Sequence, residues 1–123
     1  MTRVIPMVVM TIITTASAIA IANAAGDTMG FSAQRGEQLW NREFTGSAQA
    51  RSCATCHTSD PRRAGKHVRT GKLIKPMTPS VNPDRLTDQR KMGKWFKRNC
   101  KWTLGRVCTT QEKGDVLEFL KTL

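Results

Sequence analysis

Three stretches of the chain repeat apolar positions with a helical period, and a long aperiodic segment separates the first from the second. Ser32-Ala33-Gln34-Arg35-Gly36-Glu37-Gln38-Leu39-Trp40 opens on a residue suited to an N-cap and carries Leu39 and Trp40 together, which predicts a short helix. Gly36 stands one turn before Trp40 on the same face, where it would let another helix cross closely. Further on, Thr87 can cap a helix in which Met92, Trp95, Phe96 and Asn99 fall at i, i+3, i+4 and i+7. Arg90, Lys91, Lys94, Lys97, Arg98 and Lys101 fill its other side. The last stretch starts with Thr109 and Glu112 at capping-box spacing and continues with Val116, Leu117, Leu120 and Leu123 on one face. No strand pattern and no internal repeat is present, so the fold class is all-α.

Between Thr45 and Pro83 the punctuation is different. Gly46, Gly65 and Gly71 alternate with Pro61, Pro76, Pro79 and Pro83, which predicts irregular loop with at most single helical turns. A loop that long inside a compact domain normally wraps something.

The N-terminus alters the account of what is left to fold. Met1–Ala25 holds one charge, Arg3, then an apolar run from Ile5 to Ile21 and the small-residue end Ala22-Asn23-Ala24-Ala25. This is the layout of a secretory signal peptide cleaved near Ala24/Ala25, with an uncleaved anchor helix as the alternative. Residues 26–123 then form one small domain with a thin core, which calls for a staple or a cofactor. Export to the periplasm also means that all four cysteines of the 123-residue chain need an explanation.

Two of them sit in Cys53-Ala54-Thr55-Cys56-His57, a C-x-x-C-H, the attachment signal of a c-type haem. Each thiol adds to one haem vinyl group, and the histidine becomes the proximal iron ligand. A zinc site would need a second ligand pair at structural spacing, which Cys100 and Cys108 do not supply. A thioredoxin-like pair would need an α/β domain. One covalent haem c would also give the loop its object to wrap. Cys100 and Cys108 remain, and a disulfide around Lys101–Val107 is the economical outcome, against two unpaired buried thiols. Such a bridge would contribute roughly 2–3 kcal/mol on the loop-entropy account.

Function in such a protein turns on the iron's sixth position, for which His67, Met77, Asn99 or no residue at all are the candidates. His67 lies in a glycine-flanked loop and would make a bis-imidazole carrier, or else would face solvent or a haem propionate. Met77, in Pro76-Met77-Thr78-Pro79, is placed like the loop methionine of ordinary class I cytochromes c. Asn99 shares a stripe with Met92, Trp95 and Phe96, where an unpaired amide would cost about 1–3 kcal/mol, so iron, backbone or a propionate should satisfy it.

Trp95-Phe96-Lys97-Arg98-Asn99-Cys100, Gly105-Arg106, Cys108-Thr109 and Glu112-Lys113-Gly114-Asp115 resemble the C-terminal signature of the sphaeroides haem protein family. Thr70-Gly71-Lys72, Pro76-Met77 and Ser80-Val81-Asn82-Pro83 resemble its middle loop. The resemblance runs from about Gly36 to Leu120 and implies a variant class I cytochrome c-like fold around one haem. It implies His57 and Asn99 as axial ligands, with Asn99 displaced when the iron binds oxygen or nitric oxide. It also implies a Cys100–Cys108 disulfide, and Trp95 and Phe96 would line the pocket beside Asn99. Met77 departs from the family's simplest pattern and keeps a His57/Met77 electron carrier open as the rival. The ligand chemistry is coherent, because an amide oxygen is a hard donor that holds ferrous iron poorly. An oxygen or nitric oxide reductase-type activity is a third outcome.

Charge completes the picture. From Arg51 to Arg106 there are 15 Lys/Arg against three Asp, a net of +12. An exported haem protein rarely meets nucleic acid, so an acidic redox partner is the better reading of that charge. The resemblance implies a dihaem cytochrome c as partner, with a membrane cytochrome b upstream. Lys72, Lys75 and Arg85 are the candidates to offset the two haem propionates.

Overall fold

The computed structural model describes residues 30–45 and 51–123. The predicted leader and the boundary at Ala25 lie outside the described residues.

The first and last helices form the core pair. Helix α1 (Ala33–Asn41) starts as its sequence predicts, with the Ser32 hydroxyl accepting from the Arg35 amide. The structure closes with helix α4 (Thr110–Thr122), which opens on a complete capping box. There Thr109 Oγ1 accepts from the Glu112 amide at 3.1 Å, and the Glu112 carboxylate accepts from the Thr109 amide at 2.8 Å. The Arg106 guanidinium, bidentate on Glu112, is the main cause that holds that carboxyl down at about 2. Gly36 is the crossing point, since a Cβ there would overlap the Asp115 carbonyl and lie 2.8 Å from Phe119 Cβ. Trp40, Val116, Phe119 and Leu120 are the buried cluster between the two helices. Phe119 belongs to that face, where the sequence pattern pointed to Leu117.

A buried carboxylate fastens the same pair. Asp115 accepts from the Ser32 amide at 2.7 Å, from Arg35 Nε at 2.8 Å and from Gln111 Nε2 at 2.9 Å. Arg35 is the leading cause that holds the Asp115 carboxyl below its ordinary 3.8. Because the folded value is the lower one, its stabilisation is present above 3.8 and is lost as pH falls below it. Asp115→Asn cannot accept from all of these donors at once, and we expect a loss of roughly 1–3 kcal/mol at pH 7 in urea titrations. The variant should also lose less stability than the parent between pH 4 and pH 3; equal losses would contradict this account.

Between the helices the chain behaves as loop with three interruptions. A single turn, α2 (Ala54–His57), carries the C-x-x-C-H. A small antiparallel hairpin follows, β1 (Gly65–Lys66) against β2 (Leu73–Ile74), in register Gly65 to Ile74 and Lys66 to Leu73. The hairpin departs from the all-helix-and-loop expectation; strands of two residues leave no alternation to detect. Helix α3 (Gln89–Leu104) is capped by Asp88, whose carboxylate accepts from the Lys91 amide at 3.0 Å. Thr87, the predicted cap, instead donates its hydroxyl to the Asp84 carbonyl. At the other end Gly105, with φ of 74°, stops α3 in the left-handed conformation.

Among the described residues α3 has no broad packing on another helix comparable to the α1–α4 contact. It is attached at Phe96, which packs on the edge of the core, and at Cys100, which is disulfide-bonded to Cys108.

Candidate haem site

The C-x-x-C-H turn is built from its own neighbours. Ser52 donates its amide to Thr55 Oγ1 at 2.8 Å, and the Thr55 amide donates to Ser52 Oγ at 3.1 Å. With this reciprocal cap, the Cys56 and His57 amides both reach the Cys53 carbonyl, at 3.3 and 3.1 Å. Three residues apart on one turn, Cys53 and Cys56 therefore project to the same side. Both are free thiols, Cys56 buried and Cys53 half-buried, and burial pushes the Cys53 thiol up to about 11.

Trp40 secures the far end. Its indole N–H donates to the Thr58 carbonyl at 2.8 Å, and its ring centroid lies 5.5 Å from that of His57. Thr58 has φ 65° and ψ 162°, a region that costs non-glycine residues about 1–3 kcal/mol. The Trp40 bond and the Thr58 hydroxyl, which donates to the Asp60 carbonyl, hold it there. Gly65 backs the turn: a Cβ on it would overlap the Cys56 carbonyl and lie 2.9 Å from His57 Cα. The sequence marks neither Trp40 nor Gly65 as a site residue; only the punctuating glycine itself is visible there.

His57 is held neutral. Burial first, then the nearby Arg85 charge and the neighbouring His67, bring its imidazole down to about 4. Its Nδ1 is the buried side-chain nitrogen without a hydrogen-bond partner among the described residues. A neutral imidazole is the metal-binding form. Among the described residues no three His, Cys, Asp or Glu side chains are grouped so as to hold a metal ion. Met77, Leu86 and Phe96 pack on the same core that supports Cys53 and Ala54, and Trp95 is 51% exposed. Two unbridged thiols, a neutral histidine and an apolar collar fit haem c.

The remaining candidates are distributed unevenly. His67 is committed to the hairpin: its Nδ1 accepts from the Arg69 and Thr70 amides at 3.3 and 3.2 Å. Met77 is half-buried, with its amide on the Pro61 carbonyl at 2.8 Å. Asn99 is exposed, as is Trp95, while Met92 and Phe96 are half-buried. Among the described residues no other helix packs broadly over that stripe of α3. Arg85 is fixed, with Nε on the Pro76 carbonyl at 2.8 Å and Nη2 on the Lys75 carbonyl at 2.9 Å. With Lys75, Asn82, Asp84 and Lys91 it lines a depression of about 250 Å³. Lys72 is exposed and does not line it.

A family model described as a domain of unknown function, DUF1924, matches residues 26–120. The chain is 46% identical over 89 residues to the cytochrome c-type protein SHP of Cereibacter sphaeroides, covering 72% of this chain and 68% of that protein. It belongs to the SHP family of c-type cytochromes. Cytochrome c'' of Methylophilus methylotrophus is 40% identical over 88 residues, which cover 71% of this chain and 61% of that one. The fold of oxidised SHP, an oxygen-binding cytochrome c, superposes with a TM-score of 0.72 at 45% identity, covering 76% of this chain and 83% of that chain. Oxidised cytochrome c'' superposes at 0.68 with 36% identity, covering 74% and 75%. This SHP-family protein is accordingly a cytochrome c-like, mostly helical, covalent haem c protein. No helix among its described residues is long and apolar enough to cross a membrane.

Proposed function

We propose that this protein is an exported monohaem cytochrome whose reduced haem binds oxygen or nitric oxide when Asn99 leaves the iron. Cys53 and Cys56 carry the haem as thioethers, His57 is the proximal ligand, and Asn99 is the detachable one. The haem supplies an iron that takes diatomic ligands in its reduced form. The chain's own residues do the rest. Trp40, Ser52, Thr55 and Gly65 orient the histidine, and Trp95 and Phe96 border the ligand's side. Arg85 and Lys75 offset propionate charge. One observation carries the reading: a half-buried C-x-x-C-H histidine held in its neutral form, in a chain 46% identical to SHP, whose solved structure is that of an oxygen-binding cytochrome c. Haem-ligand detachment in cytochrome c'', which the solution structure of that protein addresses, supports a releasable sixth ligand here.

Electrons come from an acidic partner, a dihaem cytochrome c fed by a membrane cytochrome b. The hairpin suits that docking, because Lys66, Arg69 and Lys72 surround Val68 and Leu73, which are 51% and 70% exposed. The leader at residues 1–25 takes the protein to the periplasm.

Replacing Asn99 by methionine tests the ligand. The variant should give a low-spin reduced haem that takes up carbon monoxide roughly tenfold more slowly, because the open state becomes a minor fraction. An unchanged rate would remove Asn99 from the iron. The half-buried Met77 supports the rival, a His57/Met77 electron carrier, and a methionine-to-iron charge-transfer band that Met77→Leu abolishes would establish it.

A further inference from the structure

Trp102 stands three residues after Asn99 on α3, so the two share one side of the helix. Its ring has a cation and an imidazole for neighbours. The Arg51 guanidinium carbon lies 3.8 Å from the ring centroid. The His67 ring centroid is 5.9 Å away, with 33° between the planes. Neither neighbour is loose. Arg51 exchanges two backbone hydrogen bonds with Phe44, at 2.8 and 3.1 Å. The His67 amide donates to the Lys72 carbonyl at 2.9 Å, and its own carbonyl accepts from the Gly71 amide at 2.8 Å.

Trp102 thereby ties α3 to the segment just ahead of Cys53 and to the hairpin just after His57. Phe96, the Cys100–Cys108 bridge and the buried Thr103 also attach α3. Asn99 lies between Phe96 and Trp102, inside the span that these attachments define. A tryptophan that only filled a core would be enclosed by apolar groups. This one is half-buried and has Arg51 over its ring and the tilted His67 ring beside it, an arrangement that fixes orientation more than it removes apolar area.

We infer that Trp102 is a positioning residue for Asn99. The Arg51–Trp102–His67 stack sets how far the last turns of α3 stand from the C-x-x-C-H turn, and with them the ease with which the asparagine leaves the iron. This rests on the proposal that Asn99 is the detachable ligand. Loosening the stack gives α3 freedom and opens the sixth position without altering any ligand.

The experiment uses the haem-loaded chain and two readouts: the rate of carbon monoxide uptake by the reduced protein, and amide hydrogen exchange across residues 96–104. Trp102→Leu should speed uptake roughly tenfold, as expected for losing a cation–π and stacking pair, and should raise exchange. Trp102→Phe keeps a flat ring and should stay close to the parent. Arg51→Gln removes the cation from the Trp102 ring and should speed uptake by a smaller factor, which carries the test if Trp102→Leu does not fold. In an Asn99→Ala background Trp102→Leu should produce no further acceleration. Equal acceleration with and without Asn99, or faster exchange with no change in uptake, overturns the inference. If Asn99→Ala alone leaves the haem spectrum unchanged, the underlying ligand proposal fails instead, and the positioning role with it.

Discussion

Alanine at position 65 is expected to yield a protein that holds less covalent haem and melts well below the parent. The added methyl group meets backbone on two sides, the Cys56 carbonyl and His57 Cα, so no side chain can swing away to accommodate it. Either the hairpin lifts or the C-x-x-C-H turn shifts. The turn is the better-anchored body, held by the Ser52–Thr55 cap, the Trp40 bond to Thr58 and the contacts of Cys53 and Ala54 with the core. The hairpin, with two residues per strand, yields first. Its departure removes the backing of His57 and unseats His67 from Trp102. Overpacking of this kind costs roughly 1–3 kcal/mol, and backbone-on-backbone overlap belongs at the upper end. For a domain of this size that is a fall in melting temperature of about 10–20 °C. Gly93→Ala is the matched control. It lies inside α3 with nothing within 4 Å of its added Cβ, so it should stabilise by about 0.5–1 kcal/mol. Indistinguishable melting of the two variants, with full haem in both, would show that the Gly65 contact does not carry the site.

The parts of the fold legible in the sequence were those written locally. Ser32 and Thr109 announce their helices within four residues, and the structure makes both caps. Gly36 was readable as a crossing point because only a missing side chain lets two helix backbones approach so closely. The C-x-x-C-H needs no tertiary information, since its spacing is the chemistry. The contacts that escaped join distant segments. Arg35 and Asp115 are 80 residues apart, and each taken alone looks like an ordinary solvated charge. Trp40 reads as core, and it is core, yet its indole N–H reaches across 18 residues to the carbonyl beside His57.

The stripe on α3 shows a different limit. Periodicity gives the direction in which Met92, Trp95, Phe96 and Asn99 face, but it carries no information on what covers them. Along that stripe Phe96 lies at the core's edge, while no other part of the polypeptide covers Asn99 and Trp95 among the described residues. His67 and Met77 illustrate the same point from the loop. Both are chemically competent ligands, and only tertiary structure shows that one ring nitrogen of His67 is already committed to two backbone amides.

Gly36→Ala should be the most damaging single methyl group in the protein. At the α1–α4 crossing a Cβ overlaps the Asp115 carbonyl and presses on Phe119 Cβ, so the two helices must separate. Separation breaks three things together. The Asp115 carboxylate moves away from the Ser32 amide and from Arg35, the Trp40–Phe119 edge contact at 6.0 Å opens, and apolar area in the only helix pair with extensive packing among the described residues is exposed. The cost is about 3 kcal/mol or more, a large share of the roughly 5–15 kcal/mol that an ordinary domain has in total. The site suffers too, because Trp40 lies one turn beyond Gly36 on the same face. As α1 moves outward, the indole N–H withdraws from Thr58 and the ring from His57. Urea titrations should therefore show a large loss of stability, and the haem spectrum should change at denaturant concentrations well below global unfolding. If the variant matched the parent in both respects, α1 would not be the element that positions the histidine, and the Thr58 conformation would have to be maintained from the Asp60 side alone.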